Sequence, residues 1–186
     1  MSDLKREMLK IKVKGYFDNG DLRRDSTITV LVKYHIDKAR HNIQTASLLM
    51  EASGDRELKK RLKVGEDYIG YDWVISCGYY AMFHAATAAL ADIGIKAETH
   101  ESLIEGLEYH FVYFVYKESL IESKDIEKIK SAKRLDYRYV NRMWATKSKR
   151  NTAQYKADAV IAQKDAEKTY RDAIDFVDAL EGLIKT

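Results

Sequence analysis

The chain's chemistry begins with its histidines. His84 follows Tyr80 by four residues and Cys77 by seven, spacings that put all three on one face of a helix. Imidazole titrates near neutral pH, so His84 with Tyr80 suits a groove that meets a ligand and passes a proton to or from it. The competing reading is a core histidine satisfied by a hydroxyl or a carbonyl. His100 and Glu101 form a second polar pair where a helix should begin, although Glu101 there also suits the helix dipole. Asp136 shares a 3–4 spaced stripe with Ile129, Ala132, Val140 and Met143. An acid on an apolar face needs a partner, and Arg134, His84 or a tyrosine hydroxyl could supply it. Either that pair is structural, or Arg134, Asp136 and Tyr137 form a ligand site, for a phosphate if the arginine leads. Cys77, among apolar neighbours, reads as a small buried residue rather than a nucleophile.

The strongest electrostatic signal lies between Ser123 and Lys156, where eleven basic residues face three acidic ones in a chain of net charge +3. The expected basic surface is Lys130, Lys133, Arg138, Arg142, Lys147, Lys149 and Arg150, with Tyr137, Tyr139, Trp144 and Tyr155 interleaved. Cations with stacking aromatics suit single-stranded RNA or a nucleotide. A solvated helix face, or a surface for an acidic partner, has the same composition. The sequence contains no phosphate loop, GxGxxG turn or serine elbow. It also lacks zinc-like Cys/His spacing, so neither metal nor cofactor is expected.

These residues need elements to hold them. The stretch from Tyr68 to Ile93 carries charge only at Asp72 and Asp92 and mixes small with large apolar residues. A helix apolar nearly all round is buried by neighbours on several sides, so this one should be the central helix of a bundle. Its tyrosines, Trp73, His84 and end aspartates suit a membrane span poorly. The absence of proline from 186 residues favours long helices. Val32, Ile36, Ala39, Ile43, Ala46 and Met50 predict a helix over 28–52, capped by Ser26 or Thr27 and closed by Gly54. Residues 55–65 read as a polar connection with room for one helical turn. A third helix is expected over 100–116, with Leu103, Leu107, Phe111 and Phe114 inward; its aromatic second half leaves a strand as the alternative. A fourth is expected over 124–143, a basic loop over 145–151, and a last helix over 152–184 through Ala159, Ala162, Ala166, Thr169, Ala173, Phe176, Leu180 and Leu183. The fold class is therefore all-α, an up-and-down bundle of four to five long helices. Residues 1–27 form an N-terminal arm, a cap or frayed end, and 28–186 the bundle. One cysteine and no signal-like N-terminus point to the reducing cytoplasm, without a membrane.

The run Gly78–Ala86, GYYAMFHAA, followed by Gly94-Ile95-Lys96, Thr99-His100-Glu101 and Arg134-Leu135-Asp136-Tyr137, resembles the HEPN family (higher eukaryotes and prokaryotes nucleotide-binding domain) over about residues 28–184. The resemblance implies a helical bundle, commonly a homodimer, and often a minimal nucleotidyltransferase as partner. It also implies that some members cleave RNA, using an arginine, four to six residues and then a histidine. Counting back five, six or seven residues from His35, His41, His84, His100 and His110 meets no arginine. The function expected is thus a non-catalytic HEPN-type module that binds nucleotide or RNA, pairs with a nucleotidyltransferase, or does both. The alternative is a metal-independent ribonuclease with a rearranged site, in which His84 or His100 moves the proton and Arg134 stabilises the phosphorane.

Overall fold

The computed structural model describes residues 3–113, 135–156 and 160–184 of the chain. Seven α-helices lie among them: α1 (Asp3–Asn19), α2 (Val32–Gly54), α3 (Arg56–Leu62), α4 (Tyr71–Asp92), α5 (His100–Leu107), α6 (Tyr137–Tyr155) and α7 (Gln163–Ile184). The fold is an all-α bundle built around α4. This helix is long and apolar enough to cross a membrane, but most of it is buried inside the protein. Val74, Ile75, Tyr79, Met82, Ala85, Ala86, Ala89 and Leu90 are fully enclosed, so its apolar surface is covered by other helices.

Contacts along the helices fix their directions. His35 of α2 stands beside His84 of α4, and Ser53, at the far end of α2, accepts the Gly70 N–H just before α4. These two helices are antiparallel. Val74 clusters with Ala166, and Gly78 faces Thr169 and Ala173, so α7 runs parallel to α4. Arg142 reaches Asp172 and Asp175 while Lys149 reaches Asp165, which makes α6 antiparallel to α7. The four long helices α2, α4, α6 and α7 therefore alternate up and down. Close approach of the parallel pair α4–α7 depends on Gly78: a Cβ there would stand 2.7 Å from Thr169 Cγ2.

The N-terminal arm folds as α1 and buries Leu9 and Val13 in the same core cluster as Met82, Leu90 and Phe176. Behind it, β1 (Leu22–Arg24) pairs antiparallel with β2 (Ile95–Ala97), Leu22 opposite Ala97 and Arg24 opposite Ile95. Gly94 enters β2 at φ +67°, a left-handed conformation that glycine adopts without steric cost, with Ser26 Cα 3.5 Å from where a Cβ would be. Asp25 caps a 3-10 turn (Ser26–Leu31) that leads into α2, so α2 begins at Val32, the first residue of its apolar stripe, four residues after the expected start at 28. The polar connection after Gly54 becomes α3, capped by Asp55, whose carboxylate accepts the N–H groups of Glu57 and Leu58.

Thr99 and Ser102 form a reciprocal capping box that starts α5 at His100, as the sequence suggested. After Leu107 the helix widens into a π-helical segment (Glu108–Tyr113) in place of the alternative strand, with Leu103, Leu107 and Phe111 buried. Phe114 and residues 124–134 of the expected fourth helix lie outside the described residues. The expected boundary at 143 is wrong. The helix begins at Tyr137, and residues 145–151 are helical rather than a loop. The expected last helix, 152–184, divides: Thr152 to Tyr155 belong to α6, and α7 starts at Gln163. Ala162 is consequently an exposed residue before α7, while Ala166, Thr169, Ala173, Phe176 and Leu180 hold the buried stripe.

Candidate functional site

Side chains from three helices converge where the middle of α4 meets the start of α5 and the end of α6. Tyr79, Tyr80, Phe83 and His84 come from α4, His100 and Glu101 from α5, and Lys147, Arg150 and Tyr155 from α6. Arg150 is the hub. Its Nη2 donates to the Tyr80 hydroxyl at 2.9 Å and its Nη1 to Asn151 Oδ1 at 3.1 Å. The guanidinium also stands 5.4 Å from the Tyr80 ring centre, 5.5 Å from Tyr155 and 5.9 Å from Tyr79. That is an arginine held among three aromatic faces. Its Nε is buried without an acceptor among the described residues.

Beneath Arg150, the Tyr79 hydroxyl meets His100 Nδ1, and the two rings stack with centres 5.6 Å apart. Tyr79 is fully buried, and burial pushes its phenol far above the usual range, so the hydroxyl keeps its proton. A buried hydroxyl that keeps its proton must place it on an acceptor, and His100 Nδ1 is the one at hand. His100 therefore carries its own hydrogen on Nε2. Burial first, then Lys147 and Arg150, lower its pKa against the smaller pull of Glu101, so it is neutral at pH 7. The arrangement gives an imidazole whose free edge is an N–H donor and whose lone pair is already engaged.

His84 has a different partner. Its Nδ1 faces His35 Nδ1 at 3.2 Å, with ring centres 5.4 Å apart. The nitrogens thus lie nearly on the line between the rings, the geometry of one N–H···N hydrogen bond rather than of two lone pairs converging on a metal. Among the described residues no three His, Cys, Asp or Glu side chains gather as metal ligands. Burial, with His35 and Lys38 adding to it, pushes His84 down to about 4. Phe83 links the two histidine sites, 5.6 Å from His84 and 4.8 Å from His100.

Of the residues expected to form the site, the fold brings together Tyr80, His84 and His100. It separates Asp136 and Tyr137, which sit at the opposite end of α6, about 20 Å away at 1.5 Å per residue. Asp136 is not on a buried stripe: it is the exposed N-cap of α6, accepting the Arg138 N–H at 2.8 Å and pairing with the Arg138 side chain. Its pKa is lowered by that side-chain hydrogen bond. Asp136 breaks the 3–4 pattern because a helix starts just after it. Tyr137 is a contact of α1, taking a hydrogen bond from Lys5. Arg134, Lys130 and Lys133 lie outside the described residues.

The basic surface is also mostly neutralised. Arg142 pairs with Asp172 and Asp175 at 3.4 and 3.2 Å, Lys149 with Asp165 at 2.7 Å, and Lys147 with Glu101. Of the five described cations in that set, Arg150 alone has no carboxylate partner among the described residues. Sequence reasoning placed Arg150 in a loop and did not single out Tyr79. The signal that would have found Arg150 is the 3–4 continuation Met143, Thr146, Arg150 beyond the assumed helix end. Between α4, α6 and α7 an open depression of about 160 Å³ is lined by Ile75, Lys149 and Asp165, but the Lys149–Asp165 ion pair spans its polar edge. No protein-family model matches the chain, and no curated protein matches its sequence.

Proposed function

We propose that the protein is a non-catalytic HEPN-type binding module in which Arg150, the Nε2–H of His100 and the Tyr80 hydroxyl hold the phosphate of a nucleotide or of single-stranded RNA. The observation that carries this reading is the cation: Arg150 has no carboxylate among the described residues and is set among a buried, a half-buried and an exposed tyrosine, Tyr79, Tyr80 and Tyr155. Guanidinium supplies a planar fork for phosphate, and tyrosine faces supply stacking for a base. His100 is better suited to binding than to turnover, because a neutral imidazole with an occupied lone pair is a donor and not a base. Fluorescence anisotropy with labelled single-stranded RNA and labelled nucleotides, followed by a gel on the recovered RNA, tests the reading. Binding without cleavage, weakened tenfold or more by Arg150→Gln, is the expected result, since a charge-assisted hydrogen bond is worth about 1.5–3 kcal/mol.

One observation favours a second reading, a metal-independent ribonuclease. An arginine and a histidine absent as a spaced pair in sequence are brought to one residue, Tyr79, as Arg150 and His100, with Arg150 in the role first expected of Arg134. RNA cleaved by the native chain but left intact by His100→Ala and by Arg150→Ala would support it. Cleavage unchanged by both would remove it.

The homodimer and the nucleotidyltransferase partner belong to the same proposal. Leu4, Met8 and Ile11 of α1 are 70%, 55% and 70% exposed and fall on one helical face, an apolar stripe available to a partner. A monomer mass by light scattering at tens of micromolar would count against the homodimer. The single cysteine, Cys77, cannot form an internal disulfide, which fits the cytoplasm we propose as its compartment.

A further inference from the structure

We infer that the Arg150 site holds one phosphate, that of a mononucleotide, and does not track the backbone of a strand; this rests on the binding reading above. A groove for a strand presents several unpaired cations in a row. Here α7 runs antiparallel to α6 and sets Asp165, Asp172 and Asp175 against Lys149 and Arg142. Asp165 and Asp175 keep 42% and 58% of their side-chain surface exposed. A phosphate run laid along these described residues would meet carboxylates at each step, and like charges repel.

At Arg150 the donors number what one phosphate needs. Each terminal guanidinium nitrogen carries two N–H groups, and each has one engaged, with Asn151 and with Tyr80. Two N–H groups are left free for an anion, and His100, which meets the same Tyr79 that Arg150 stands over, brings an Nε2–H from the neighbouring helix. The buried Nε without an acceptor is a cost that a small shift of the side chain toward an anion would relieve. Tyr155 supplies the place for a single base. The residue is 74% exposed and its ring centre lies 5.5 Å from the guanidinium, within one nucleotide's reach.

The test is calorimetric titration of the full chain with adenosine 5′-monophosphate, with adenosine, and with a ten-residue oligoadenylate lacking terminal phosphates, each at 50 and 200 mM salt. The monophosphate should bind at least tenfold tighter than adenosine, and the oligomer no tighter than the monophosphate. The slope of log K against log salt should be about −1 or shallower, as one phosphate contact requires. Arg150→Gln should lose tenfold or more. Tyr80→Phe, which keeps the ring and removes one anchor of the guanidinium, should lose a few-fold in a chain whose helix content and melting are unchanged. An oligomer bound 100-fold tighter than the monophosphate, with a slope steeper than about −3, would overturn the single-phosphate inference and leave the binding reading standing. Adenosine bound as well as its monophosphate would overturn phosphate recognition at Arg150. No binding of any of the three would take the binding reading down as well.

Discussion

The imidazole of His100 reports on its neighbours. Lys147 and Arg150 lower its pKa beyond what burial does, while Glu101 acts in the opposite sense. Arg150→Gln should therefore raise the His100 pKa, because one of the two cations opposing its protonation is gone. Glu101→Gln should lower it, both by removing the anion and by freeing Lys147 from its ion pair. NMR titration of the His100 ring protons distinguishes the two, and shifts of the same sign in both variants would show that the charges do not act as the geometry requires. Tyr79 sets the tautomer. In Tyr79→Phe the Nδ1 lone pair loses its donor, so the ring's nitrogen chemical shifts should move from an Nε2–H form toward a mixture. None of this was legible from spacing. Tyr79 and His100 are 21 residues apart, and their meeting depends on the loop and strand that fold back between α4 and α5. His84 was visible as a candidate because it shares a helix face with Tyr80; its partner His35 was not, because it comes from another helix.

Helix starts and stops explain most of what the sequence did and did not reveal. α4 was readable because its apolar run is long and almost uncharged, and α5 because Thr99 and Ser102 mark its first turn. The α6 boundaries were not. Its first turn follows Asp136, which a periodic reading takes for a stripe member, and its polar second half has no apolar pattern to announce a helix; tertiary contacts to α4 and α7 hold it. Small residues were legible as licences for close approach, and Gly78 is where that approach is tightest. Adding a methyl there gains up to about 1 kcal/mol of helix propensity. The new Cβ would stand 2.7 Å from Thr169 Cγ2, a methyl of a β-branched side chain with little room to turn, and 3.7 Å from Ala173 Cβ. Overpacking of this kind costs about 1–3 kcal/mol. Gly78→Ala should thus lower stability by about 1–2 kcal/mol in urea denaturation. The second change Thr169→Ser, which removes the offending methyl, should recover most of the loss. If the double variant is no more stable than Gly78→Ala alone, the α4–α7 contact does not set the fit.

Across the whole molecule the histidines set how stability answers to acid. His84 and His110 are both pushed down to about 4, chiefly by burial, and His35 and His100 are lowered too. The unfolded chain binds protons on these rings near pH 6.5. On His84 and His110 the folded chain does not bind them until near pH 4. Between those values the unfolded state holds more protons, so stability is fully present above about pH 6.5 and falls as pH drops toward 4. Glu108 works the other way. Burial raises its carboxyl, so its contribution favours the fold at low pH and fades as pH rises through its folded value. The carboxylates held low by their cations, Glu101 through Lys147 and Asp165 through Lys149, begin to lose stability only below the ordinary carboxylate range. A comparison at pH 7.5 and pH 5 therefore isolates the histidines from these ion pairs. His110 is the cleanest member, since its Nε2 is buried with no acceptor among the described residues. Its shift alone corresponds to at most about 3 kcal/mol over the full window. Urea midpoints should fall from pH 7.5 to pH 5 in the native chain, and His110→Phe should fall less steeply while starting from equal or higher stability. A native profile flat between those two pH values would mean that the buried histidines are not held neutral by the fold. A slope unchanged by His110→Phe would assign the acid sensitivity to the His35–His84 pair between α2 and α4, whose single shared proton cannot be joined by a second without breaking the contact.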